Sequence, residues 1–351
     1  MAGAVAQLGR RSLVASRGGR LESRLAARGG ELIRLPMHAK DPIRLAANGA
    51  RLAVTILREK VSLIHVRSRA PAFSALLAAR ATGAPIVATY HGIYSARSGI
   101  KRWYNSVMTR GDAVIANSDF TRQHIVTEHG IDPDRIDLVP EGVDVDRFDP
   151  GAVSPRRVAA MRAAWGLAPD DNRIVILMAA RLSGWKGHKV LADAFARMPN
   201  RDRAVLVMIN AGDGSPLAMS LAATCPTARL VGDCRDMPAA FLAADLVAAP
   251  STQAESFGRS VVEAGAMGRP VLASAIGAHV ETISAGETGW LAPAGDIAAW
   301  SAALDIALST TAGRRAAMGR AARARAIRLY SLPAMFDGTF AVYRRVLEDR
   351  A

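Results

Sequence analysis

Glu255-Ser256-Phe257-Gly258-Arg259-Ser260-Val261-Val262-Glu263 places two carboxylates eight positions apart, with an aromatic–glycine pair just after the first. Upstream, Leu246-Val247-Ala248-Ala249 followed by Pro250-Ser251 reads as a short buried strand that ends in a loop. Downstream, Val261, Val262, Ala264 and Met267 recur at helical spacing until Gly268-Arg269-Pro270 stops the run. A helix is therefore expected from about Phe257, with Glu255 in the loop at its start. Glu263 then sits about two turns in, roughly 12 Å further along the axis. The start of a helix leaves backbone N–H groups unpaired, and Gly258 lets an anion approach them closely. The ligand that suits this spacing is extended, with an anionic centre at the helix start and hydroxyl-bearing groups for the carboxylates at both ends. A nucleotide sugar has that shape.

The same alternation of strand and helix runs through the chain, the pattern of α/β layers around parallel sheets. Strands are expected near Leu13-Val14-Ala15, Leu32-Ile33, Leu63-Ile64-His65-Val66, Ile86-Val87-Ala88, Ala113-Val114-Ile115-Ala116 and Ile136-Asp137-Leu138-Val139. A second series begins at Ile174 and continues through Val205–Met208, Arg229-Leu230-Val231, Leu246-Val247 and Val271-Leu272-Ala273. Turn signals at Asp149-Pro150-Gly151, Ser154-Pro155 and Pro169-Asp170-Asp171 mark the interval between the series. The expected division is a first domain over 1–150, a linker over 151–172 with one helix around Val158 to Trp165, and a second domain over 173–330. A C-terminal helix follows over 331–351, with Phe336, Phe340, Tyr343 and Leu347 at helical spacing.

A chain of 351 residues suits two domains that each bury a core. No apolar run approaches the length of a membrane span, and the N-terminus lacks the continuous apolar stretch of a secretory signal. Cys225 and Cys234 fit neither a metal spacing nor a disulfide framework, and a reducing cytoplasm is the simplest setting. Charge is lopsided: residues 1–110 hold 19 Lys and Arg against 4 Asp and Glu, while the rest of the chain is nearly balanced. Such a face is drawn to anionic lipid. A merely compositional origin in an Ala-, Arg- and Gly-rich chain is the alternative, and no nucleic-acid recognition module is apparent.

The Glu255–Glu263 segment, embedded in Pro-Ser, Phe-Gly and the downstream Gly-Arg-Pro-Val, resembles the E-x7-E signature of glycosyltransferase family 4, retaining enzymes of the two-domain GT-B fold. The resemblance extends from about residue 5 to the end. It implies two Rossmann-like domains with parallel sheets facing a central cleft, acceptor on the first and nucleotide sugar on the second, and a C-terminal helix that returns to the first domain. By the same resemblance Glu263 holds the donor ribose, Glu255 lies by the donor sugar, and Phe257, Gly258 and Arg259 meet the diphosphate. Ala180-Arg181-Leu182-Ser183-Gly184-Trp185-Lys186-Gly187 is similar to the family's Arg and Lys pair. Arg181 gives two-pronged hydrogen bonds and Lys186 a mobile point charge, so together they stabilise a departing nucleoside diphosphate without a metal. Thr89-Tyr90-His91-Gly92 matches a motif whose histidine faces the donor sugar, which assigns His91 a catalytic, positioning role alongside Glu255. Arg67 and Arg69, at the end of the His65 strand, are candidates for an acidic acceptor. Asn210-Ala211-Gly212-Asp213-Gly214 stands where the family often has Gly-x-Gly, although Asp-Gly is a common turn in any chain.

The opening Ala4-Val5-Ala6-Gln7-Leu8-Gly9-Arg10 departs from the family. It looks like the end of the first helix, so the first strand and its glycine-rich loop are expected to be lacking. The resemblance implies hexosyl transfer from a nucleoside-diphosphate sugar to a glycan or lipid-linked acceptor, in envelope polysaccharide or lipopolysaccharide biosynthesis. No cofactor or metal is expected, and the setting is cytoplasmic, peripheral on an anionic inner-membrane face. Two alternatives stand beside it: a sugar-nucleotide epimerase of the same fold, and a non-catalytic nucleotide-sugar-binding protein.

Overall fold

Every strand among the described residues runs parallel to its neighbours. The computed structural model describes residues 1–94, 98–212 and 214–350, so Asp213 of the 210–214 segment lies outside the described residues. The first elements are α1 (Ala2–Gln7), β1 (Ser12–Ser16), α2 (Glu22–Ala27), β2 (Gly30–Arg34), α3 (Pro42–Arg58), β3 (Ile64–Val66), α4 (Arg69–Thr82), β4 (Ile86–Tyr90), α5 (Gly99–Asn105), β5 (Ala113–Ala116), α6 (Asp119–His129) and β6 (Ile136–Leu138). The second series comprises α7 (Pro155–Ala164), β7 (Ile174–Ala179), α8 (His188–Arg197), β8 (Ala204–Ile209), α9 (Pro216–Thr224), β9 (Arg229–Val231), α10 (Met237–Ala243), β10 (Leu246–Ala249), α11 (Arg259–Ala266), β11 (Val271–Ser274), α12 (His279–Thr282), β12 (Gly289–Ala292), α13 (Ile297–Ser309), α14 (Ala312–Tyr330) and α15 (Leu332–Glu348).

The chain divides into two units, Met1–Val139 with Met335–Ala351, and Pro140–Ala334. In unit 1 all six expected strands form, but as two sheets: β1 pairs with β2, and a separate sheet runs β3-β4-β5-β6. The period of two in β4 sorts its side chains. Ile86, Ala88 and Tyr90 pack with Val114 and Ile125 on one face, while Val87 packs with Ile115 and Val139 on the other. Val342 and Val346 of α15 close that second face. The helix returns to unit 1 as expected, and of its aromatic stripe Tyr343 packs against this core and bonds His65. The buried positions of the helix are Thr339, Val342 and Val346, and Leu347 is exposed.

Unit 2 is one six-stranded sheet of order β12-β11-β10-β7-β8-β9 with a core on each face. Strand β12 adds to the expected series at the edge of the sheet. Gly289 lies so close to β11 that a Cβ there would meet the Val271 carbonyl oxygen at 2.1 Å, so glycine is what admits this edge strand. The segment 151–172, expected as a linker, is packed into unit 2. Val153, Trp165 and Leu167 are buried with Val143, Phe148 and Phe241, and the Pro and Asp turn signals mark local turns and helix caps within the unit. The chain enters and leaves this unit at one place: Val143 N–H donates to Tyr330 O (2.7 Å) and Leu332 N–H donates to Val143 O (3.0 Å).

Candidate functional site

Strands β7, β10 and β11 are adjacent, and the loops at their carboxyl ends are tied together by backbone. Thr252 donates both its N–H (2.8 Å) and its hydroxyl (3.1 Å) to Trp185 O, joining the loop after β10 to the loop after β7. Gly187 turns with φ +79°, and a Cβ there would fall 1.8 Å from Pro250 O, so only glycine allows this approach. On the other side Ala278 N–H donates to Glu255 O at 3.0 Å, which anchors the loop after β11.

These three loops set the charges. Lys186 Nζ lies 2.7 Å from Glu255 Oε1 and 4.4 Å from the centre of the Trp185 ring. Ser251 Oγ donates to the same carboxylate oxygen. Burial opposes ionisation of Glu255, but Lys186, His279 and Ser251 outweigh it and hold the carboxyl below its ordinary range. His279 itself is fully buried, with Nδ1 3.3 Å from Ser274 O and Nε2 3.6 Å from Glu255 Oε1. Burial pushes this imidazole down despite the nearby Glu255, so it is neutral at neutral pH and donates from one nitrogen only. Its Nε2 has no hydrogen-bond partner among the described residues. Sequence reading missed His279, whose single cue is the Gly277-Ala278 turn before it.

The two helices that start at this place are both led by glycine in the left-handed region, Gly187 for α8 and Gly258 for α11. Neither start is capped by a side chain. Helices α9, α10 and α13 of the same unit, by contrast, are capped by Ser215, Asp236 and Asp296. The start of α11 therefore keeps donors for an anion. It begins at Arg259, two residues later than expected, because Gly258 turns in the left-handed region at φ +78°, and the His279 ring lies where a Cβ on that residue would fall, 2.7 Å away.

Glu263 sits on the same helix with its side chain mostly buried. Its nearest partner is the exposed Arg259 at 3.4 Å. Burial raises its carboxyl above the ordinary range, although Arg259 and Arg147 oppose this. A buried carboxylate so loosely held has acceptor capacity left for hydroxyl groups. Arg181, after β7, is exposed and makes no side-chain hydrogen bond or ion pair among the described residues. Phe257 faces inward, 3% exposed and edge-on to Tyr330 with ring centres 5.5 Å apart, so its ring shapes the loop from the core side.

In unit 1, Arg67 Nε donates to His91 Nε2 at 2.9 Å, which places the imidazole proton on Nδ1. Burial, and then the Arg67 charge, push His91 down to about 4. Behind it His65 bridges Tyr343 Oη (2.5 Å) and Thr89 Oγ1 (2.6 Å), and burial takes that ring down to about 3. Arg67 and Arg69 do not act as one two-cation site. Arg69, the first residue of α4, lies over the Tyr94 ring at 4.0 Å and donates to Asn105 Oδ1 at 2.6 Å.

The chain is similar to known glycosyltransferases in sequence and in fold. A family model described as Glycosyltransferase Family 4 matches residues 1–147, and one described as Glycosyl transferases group 1 matches residues 162–325. The D-inositol 3-phosphate glycosyltransferase of Mycobacterium tuberculosis is 34% identical over 257 residues, covering 69% of this chain and 50% of that protein. The chain thus spans about half the length of the curated relatives it matches. A solved glycosyltransferase from Rickettsia africae ESF-5 has a TM-score of 0.90 at 29% identity, over 99% of this chain and 93% of that one. HepE of Anabaena, solved with UDP and glucose, has a TM-score of 0.82 at 22% identity, over 98% and 94% of the two chains. The fold is GT-B, with two Rossmann-like domains.

Proposed function

The chain belongs to glycosyltransferase family 4, and on that premise we propose that it moves a hexosyl unit from a nucleoside-diphosphate sugar to a hydroxyl of a glycan or lipid-linked acceptor. The observation that carries this reading is the Lys186–Glu255 pair at the uncapped, glycine-led start of α11. An ammonium has three donors. One engages Glu255, and two remain for the diphosphate, which the free N–H groups of the helix start and the unpaired guanidinium of Arg181 also receive. Glu263, further along α11, takes the ribose hydroxyls.

The chemistry of this reading is front-face displacement with retention. The bond from the anomeric carbon to the diphosphate oxygen breaks as the acceptor oxygen attacks, and the departing phosphate oxygen takes the acceptor proton. Negative charge grows on the leaving group, where Lys186, Arg181 and the helix start stabilise it. Glu255 orients sugar hydroxyls and is not a nucleophile here. In unit 1, neutral His91 offers a hydrogen bond without adding charge and Arg67 a cation for an acidic acceptor. The acceptor class favoured is an envelope polysaccharide or lipopolysaccharide core, handled at the cytoplasmic face of a membrane.

Calorimetric titration with UDP, GDP and ADP, followed by product analysis with donor sugar alone and with acceptor, tests the reading. Binding of one nucleoside diphosphate and acceptor-dependent release of it are expected, with the anomeric configuration retained by NMR. Interconversion of the donor sugar in the absence of acceptor would identify an epimerase, and binding without turnover a sugar-nucleotide-binding protein.

A further inference from the structure

Helix α3 carries apolar side chains on two opposite faces. Toward the body of unit 1 it buries Asn48, Gly49 and Ile56, with Gly49 packed on Leu77 of α4. On the far side Ile43, Val54 and Leu57 are 83%, 65% and 66% exposed. At 3.6 residues per turn these three fall in one strip, with Ala47 and Ala50 between them, on the side away from Ile56. Arg44, Arg51 and Arg58 recur every seven residues along one flank of the strip, all exposed. The only acids nearby in sequence are Asp41 and Glu59 at the two ends, each 3.7 Å from its arginine.

An exposed apolar strip about 21 Å long is a liability in water unless something covers it. Charge indicates what does. The strip is edged by cations, and the first 110 residues carry 19 Lys and Arg against 4 Asp and Glu. A second copy of the chain would bring two such basic surfaces together and is disfavoured by repulsion. An acidic bilayer is complementary: the apolar side chains enter the acyl boundary while the guanidinium groups meet headgroup phosphates. Helix α5 repeats the pattern with exposed Ile100 and Trp103 beside Lys101 and Arg102, and Phe73 of α4 touches the Trp103 ring. No helix among the described residues is long and apolar enough to cross a membrane, so contact here means lying in the plane of the interface.

We propose that unit 1 docks on an acidic phospholipid bilayer through the outward strip of α3, with the Arg44–Arg51–Arg58 row set at the headgroups and Trp103 as a second anchor. Membrane contact of this kind does not depend on the chemistry at Glu255 and Lys186. The test is flotation of the full chain with vesicles of equal parts phosphatidylglycerol and phosphatidylcholine, and with vesicles of phosphatidylcholine alone. The unmodified chain should float with the acidic vesicles and not with the neutral ones. Combining Ile43→Asn, Val54→Asn and Leu57→Asn should cut partitioning at least about tenfold. Combining Arg44→Gln, Arg51→Gln and Arg58→Gln should do the same and flatten the salt dependence. Because these side chains point outward, both variants should keep the circular dichroism spectrum and the nucleoside diphosphate affinity of the parent. An unmodified chain that stays out of the acidic vesicles, or an apolar variant that floats as well as the parent, overturns the proposal. So does light scattering that shows a dimer lost in the apolar variant, which would give the strip to a second copy.

Discussion

The loops after β7 and β10 in unit 2 and those after β3 and β4 in unit 1 hold equivalent places, at the carboxyl ends of adjacent parallel strands, yet they are built on opposite principles. In unit 2 glycines lead the helices, caps are missing and charged groups face one another around the gap. In unit 1 the imidazoles of His91 and His65 are neutral, Arg67 donates to His91, and His65 bonds Thr89 and Tyr343. The unit 2 loops gather a buried ion pair and two uncapped helix starts around one gap, whereas the unit 1 loops set the Arg67 cation against neutral imidazoles. The contrast can be broken in several ways, and the size of the expected effect follows the crowding of each atom.

Gly187→Ala should have the largest effect. Its Cβ would sit 1.8 Å from Pro250 O at φ +79°, so the two loops must separate. A loss of at least about 2 kcal/mol of stability is expected, with nucleoside diphosphate binding falling below detection in calorimetry. The matching change in unit 1, Gly92→Ala, meets nothing nearer than the Tyr94 ring edge at 3.2 Å and should leave both measurements almost unchanged. Similar losses from the two substitutions would erase the distinction drawn here.

Glu263→Ala comes next. A carboxylate bonded to ribose hydroxyls contributes about 1.5–3 kcal/mol, so the nucleoside diphosphate Kd should rise about tenfold to a hundredfold, while Arg67→Ala should leave that Kd unaltered. An equal effect of both changes would show that the units share the nucleotide. His279→Asn should act more weakly, by about 1 kcal/mol, lowering kcat with little change in nucleotide affinity. It loosens Glu255 and frees space beside Gly258 but leaves the helix-start N–H groups themselves in place, and a change confined to Kd would place His279 in anion binding instead.

The smallest effect concerns pH. His91 is held near 4 against an ordinary 6.5, so the folded chain binds fewer protons there than the unfolded one. Stability from this group is complete above about 6.5 and is lost progressively as pH falls toward 4. Arg67→Ala removes a cause of the depression, so the decline in Tm over that interval should become shallower. A decline as steep as the parent's would mean that the Arg67 charge matters little to His91.

Much of this was legible in the residues, for definite reasons. Strands of β-branched and apolar residues flanked by Pro, Gly or Asp announce themselves, as at Pro250-Ser251 after β10 and Gly268-Arg269-Pro270 before β11. Glu255 and Lys186 were placed on one site by resemblance, and the coordinates bring them to 2.7 Å. What spacing does not encode is which way a side chain turns once loops from three strands meet. Phe257 turns inward to Tyr330, Arg69 is captured by Tyr94 and Asn105, and His279 arrives beside Glu255 from a different loop. The place of residues 151–172 is hidden for a related reason. Proline and aspartate turns at 149–171 look like a boundary, but Trp165 and Leu167 between them are drawn into a core whose other walls lie far along the sequence.

The hydrogen-bonded meeting of Val143 with Tyr330 and Leu332 makes unit 2 an insertion within unit 1. During synthesis the inserted body is complete while the host still waits for its last helix, and Val87, Ile115 and Val139 stay uncovered until Val342 and Val346 leave the ribosome. A stalled or clipped chain would therefore present a finished unit 2 attached to a sticky, open unit 1, which is the species a chaperone or protease would meet first.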